Sequence, residues 1–123
     1  MTGKEQTERF MEYLSRMEAT RGSKNKDYAN DTDSLANFRM VEKAGLPAWV
    51  GIWVRLGDKY ARVTEQARKI LAGETLTLAV TDESFDDTVV DMANYALLMG
   101  IAFEEWKAAQ TIEKDAIWEG LVA

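Results

Sequence analysis

Apolar side chains return at helical rather than strand spacing along most of this chain. Phe10, Leu14 and Met17, with Tyr13 beside them, predict an amphipathic helix over residues 4–21, with Gly22 as its stop. Residues 23–33 are polar and turn-prone, with Tyr28 reading as an anchor. A short helix is expected over 33–43, from Ser34 as its cap to Ala44 and Gly45. Pro47 stands where proline is tolerated, in the first turn of a long helix that runs to Leu71 and ends at Gly73. Residues 74–81 alternate polar and apolar, which suits either a short extended segment or a loop crossing between helices. Thr81 or Asp82 can cap a helix from 83 to about 109, and a last amphipathic piece carries Ile112, Ile117, Trp118 and Leu121. Long helices joined by short connections imply an all-α bundle of about four to five helices, in a single domain spanning 1–123.

Composition narrows the chemistry. The 123 residues include no cysteine and no histidine, which removes disulfides, thiolate sites, histidine-ligated zinc and Ser-His-Asp triads together. Acid–base or metal chemistry must therefore run on carboxylates, Lys, Tyr or metal-bound water. A net charge of −6 argues against a nucleic-acid backbone as partner and suits hard divalent cations. No apolar run is long enough to span a membrane, and the polar start, MTGKEQTERF, does not read as a signal peptide. A cytoplasmic protein is expected.

The most informative stretch is Glu83-Ser-Phe-Asp-Asp-Thr-Val-Val-Asp91-Met-Ala-Asn94. On a helix, Glu83, Asp87, Asp91 and Asn94 fall within an arc of roughly 80°. Val90, Leu97, Leu98 and Ile101 point the same general way, so the acidic stripe runs into the apolar one and should face other helices. Carboxylates crowded there would have to take up protons or find a cation. With oxygen ligands only, Mg²⁺ or Mn²⁺ is the natural ion. The plainer alternative is a helix N-terminus favouring acids through its dipole, with ion pairs to Arg or Lys; Asp91 is the residue it explains worst, because the dipole effect fades after one turn.

The helix from 47 to 71 offers partners. Arg55, Asp58, Lys59 and Arg62 form one polar strip, with Asp58 at its edge and able to turn partly inward; a solvated face with local ion pairs is the rival reading. Arg gives planar contacts to phosphate and Lys a point charge. Trp49, Trp53 and Tyr60 lie on the opposite, apolar side, where tryptophans serve a core or a subunit interface more often than base stacking. So much apolar surface on a short chain favours a homo-oligomer, a dimer or tetramer.

Lys24-Asn-Lys-Asp-Tyr-Ala-Asn, Asn37-Phe38, Val54-Arg-Leu-Gly-Asp-Lys59 and the block from Glu83 to Ala96 together resemble a nucleotide-modification-associated domain common in phages, a distant MazG-like member of the all-α nucleoside triphosphate pyrophosphatase superfamily. The resemblance covers residues 20–100. It implies Mg²⁺-dependent cleavage of a (deoxy)nucleoside triphosphate to monophosphate and pyrophosphate, with Asp58, Glu83, Asp87 and Asp91 as metal ligands and catalytic groups. Asn94 would line the same pocket. Lys24, Lys26, Asp27, Tyr28 and Asn37 would contact sugar, base or phosphate, and Arg55 and Lys59 the phosphate oxygens. Better-known members carry a Glu-x-x-Glu pair where this chain has Asp58 alone, and often Asp-Tyr-Gly where it has Asp-Tyr-Ala. The first departure motivates an alternative, a non-catalytic protein that sequesters a nucleotide; a helical interaction module with a solvated acidic face is the third reading.

Overall fold

The computed structural model describes residues 1–28, 33–74 and 84–122. They form α1 (Gly3–Tyr28), a 3₁₀ helix η1 (Ala36–Ala44), α2 (Ala48–Leu71) and α3 (Phe85–Val122). The architecture is all-α, with four helices and no strand among the described residues. The alternating stretch after Glu74 and the expected caps Thr81 and Asp82 lie outside the described residues. No helix among those described is long and apolar enough to cross a membrane.

The helix α1 opens on a reciprocal cap: Glu5 N donates to Thr2 Oγ1 at 3.1 Å, and Thr2 N to Glu5 Oε2 at 2.8 Å. It does not stop at Gly22. A glycine inside a helix costs only about 1 kcal/mol, and the Glu18–Arg21 ion pair braces the turn that precedes it. The expected apolar stripe is seated less deeply than its spacing suggests. Phe10 is 65% exposed and Leu14 39%, whereas only Arg16, Met17 and Thr20 of the described α1 side chains are half-buried.

Ser34 is not the cap of the short helix, which begins one residue after Leu35 and is 3₁₀ in form. Asp33 organises it instead, accepting from Leu35 N at 3.1 Å and from the Arg39 guanidinium through both oxygens, with Nη2 at 3.0 Å. Gly45, at φ +82°, turns the chain out of η1, and Pro47 leads into α2 in extended geometry. Gly51 has a packing reason: a β-carbon there would meet Phe38 O and Val41 Cγ2 at 3.2 Å, so glycine lets η1 lie close on α2.

The core is where η1, α2 and α3 meet. Leu35, Phe38, Ala48, Ile52, Tyr95 and Ala102 are buried, with Trp49, Leu56, Leu98 and Met99 packed around them. Phe38 and Tyr95 meet edge-on, rings 6.3 Å apart, and Trp49 meets Phe103 and Trp106 edge-on at 5.7 and 5.9 Å. The helix expected to break near 109 instead runs unbroken through 38 residues, because Glu104 to Gln110 are mostly strong helix formers with no proline. Beyond Gln110 every described side chain is exposed.

Candidate functional site

Two polar side chains of α3 are buried in this otherwise apolar seam, Thr88 and, three residues on, Asp91. Asp91 is 5% exposed, and its Oδ2 stands 3.0 Å from Lys59 Nζ on α2. The Lys59 side chain is itself largely covered. The pair sits one turn before Tyr95 on α3 and two turns after Ile52 on α2, directly above the core. Removing two charges from water costs several kcal/mol per ion, which their attraction repays only in good geometry. A sequence seeking stability alone would do as well with two aliphatic residues here.

A second polar group ties α1 to the start of α3. Ser84 caps that start, its Oγ accepting from Asp87 N at 3.2 Å and its carbonyl from Thr88 N and Thr88 Oγ1 at 3.1 Å. The Arg16 guanidinium then spans two neighbouring carboxylates, Asp86 at 2.9 Å and Asp87 at 3.0 Å. The Ser84 hydroxyl first, and Arg16 second, hold the Asp86 carboxyl below its ordinary range. Arg16 is raised in turn, chiefly by its hydrogen bond to Asp86, and lies over the Tyr13 ring at 5.2 Å. Two turns along, Asn94 Nδ2 donates to Met17 O at 3.1 Å.

The residues expected from the sequence are thus distributed unevenly. Asp91 and Lys59 meet; Asp87, exposed, takes the Arg16 guanidinium from α1, and the Asn94 amide donates to the α1 backbone. Asp58, expected to turn partly inward, is exposed, because its neighbour Lys59 takes the position facing α3 and a one-residue step rotates Asp58 about 100° away. Arg55 is exposed, its guanidinium lying over the Phe38 ring at 5.5 Å; Arg62 and Asn37 are exposed as well. Glu83, and the side chains of Lys24, Lys26, Asp27 and Tyr28 on the last turns of α1, lie outside the described residues.

Among the described residues no three acidic side chains stand close enough to share a metal ion. Asp91 and Asp87 each have a cation beside them, which is the ion-pair alternative read from the same stripe. Arg16 and Thr88 escaped the sequence reading. Arg16 lies next to Met17, and a cation bordering an apolar stripe is the signal that it reaches a neighbouring helix; Thr88, one turn before Asp91, carried no comparable mark. Comparison with protein-family models, curated proteins and solved structures finds no match to this chain.

Proposed function

We propose that this chain is a nucleotide pyrophosphohydrolase, acting with Mg²⁺ on the phosphoanhydride of a (deoxy)nucleoside triphosphate to release monophosphate and pyrophosphate. What supports the reading is the buried Lys59–Asp91 pair between α2 and α3, a costly arrangement in a small core whose two groups are those phosphate chemistry needs. The described residues do not form a cage for a metal on their own. They fit an ion that arrives on the nucleotide, since Mg²⁺ commonly takes one or two carboxylates and completes its shell with substrate phosphates and water. Such an ion would neutralise charge on the departing pyrophosphate. Asp91, with Asp87 one turn earlier on α3, is the carboxylate to hold it, and Lys59, released from Asp91, would turn to a phosphate oxygen. Arg55 and Asn94 complete the contacts to phosphate and sugar.

The test is a nucleotide panel with Mg²⁺ and identified products. Pyrophosphate release from at least one nucleotide, lost in Asp91→Asn while the circular dichroism stays helical, is the expected result. Full activity in Asp91→Asn, or no release from any nucleotide, overturns the assignment. Lys59 and Arg16 already occupying Asp91 and Asp87 favour one second reading, a non-catalytic nucleotide-sequestering protein. Calorimetry showing tight binding, with the ligand recovered unchanged, would select it.

A further inference from the structure

Arg16 is a cation of α1 lodged on α3. Its guanidinium spans Asp86 and Asp87, and the same turn of α1 accepts the Asn94 amide on Met17 O. Along α3 these ties stand on either side of Asp91, Asp87 one turn before it and Asn94 three residues after it. From α2, Lys59 already holds the Asp91 carboxylate at 3.0 Å. Two single positive charges on neighbouring helices thus stand on the two carboxylates that the nucleotide reading gives to one doubly charged ion. A side-chain cation and a divalent ion on one carboxylate repel each other, so the side chain must give way.

The two side chains are not held alike. Lys59 is largely covered and extends from α2, whose Ile52 is buried in the core. Arg16 and its two carboxylates are open to water, and an ion pair so exposed contributes little. Its helix is also the loosely seated one. Toward the start of α1, Phe10, Leu14 and Leu97 border an open apolar groove of about 540 Å³ between α1 and α3 instead of a packed seam. The Tyr13 ring, 5.2 Å from the guanidinium on its own helix, offers Arg16 a resting place away from α3.

We infer that Arg16 is an internal competitor for the divalent ion: it holds Asp87 in the metal-free chain and gives Asp87 up when Mg²⁺ is bound, so that uptake of the ion loosens α1 from α3. The inference rests on the nucleotide reading for the place of the ion, Asp87 with Asp91, and on nothing about cleavage. Metal affinity and the hold of α1 are then two sides of one equilibrium, and whatever strengthens one weakens the other by the same factor.

Amide hydrogen exchange and Mg²⁺ titration calorimetry on the full chain test this without nucleotide. Millimolar Mg²⁺ should quicken exchange along α1 and leave the amides of Ile52 and Tyr95 protected, whereas sodium chloride of equal ionic strength should do much less. Arg16→Met should bind Mg²⁺ about three- to tenfold more tightly than the parent, the span set by exposed ion pairs. Its α1 amides should exchange fast with or without Mg²⁺. Arg16→Lys, whose compact ammonium lacks the fork, should fall between. Unchanged or weaker Mg²⁺ affinity in Arg16→Met overturns the inference, as does an α1 that ignores Mg²⁺ in the parent. An equal response to sodium chloride assigns the loosening to screening and overturns it too. The nucleotide reading fails separately: Mg²⁺ that loosens α1 in a chain cleaving no nucleotide removes the cleavage and keeps the competition, while cleavage with α1 unmoved does the reverse.

Discussion

The two members of the Lys59–Asp91 pair do not depend on one another equally. Lys59 ends in a flexible stem that can carry its charge out to water, whereas the short Asp91 carboxylate cannot leave the seam. Replacing Lys59 by Met should therefore cost about 3 kcal/mol of unfolding free energy, because Asp91 loses its cation in place. Asp91→Asn should cost distinctly less, and the double variant Lys59→Met/Asp91→Leu should recover most of the loss. Urea unfolding of the three variants checks the order; equal costs for both single substitutions would remove the asymmetry. The sequence showed that Asp91 faces inward, since Val90 and Leu98 flank it on the helical wheel. It did not show that the facing residue on α2 is Lys59 rather than Asp58, because a rotation of one residue between packed helices is decided by tertiary fit.

Element boundaries were legible where one residue's backbone geometry decides them. Pro47 cannot donate to a preceding turn, and Gly73, at φ +73°, closes α2 with its N–H on Ile70 O at 3.1 Å. Gly22 misled for the converse reason: glycine permits a stop without imposing one. The short helix was foreseen but not its foundation, since a carboxylate bridging to an arginine two turns on leaves no periodic trace. That foundation makes η1 sensitive to acid. Arg39, first through its hydrogen bonds, holds the Asp33 carboxyl below the ordinary range. A lowered folded-state value means the pair's contribution is fully present above the unfolded value of about 3.9 and is lost as pH falls through the lower folded one. Asp33→Asn should accordingly be less stable than the parent at pH 7, with the gap narrowing below pH ~4. Thermal melts across that range test it; a gap independent of pH would place the effect elsewhere.

At the scale of the molecule, the all-α plan and the meeting of the acidic helix with α2 were readable, because periodicity records which faces are buried. The loose seating of α1 was not, since Phe10 and Leu14 look the same in sequence whether they enter a core or border an open groove. The helix is tied to α3 by the Asn94 amide on Met17 O and by Arg16 on Asp86 and Asp87, a fork whose side chains are 39% to 58% exposed. Counter-ions reach such a mooring, and at 1 M salt the screening length is only about 3 Å. The aliphatic contacts around Ile52 gain from the same salt or ignore it. Ionic strength should then act as a selective solvent for one helix: amide hydrogen exchange in α1 quickens while the amides of Ile52 and Tyr95 stay protected. A uniform response along the chain would contradict this. Brine would here slacken the first helix and leave the other three moored.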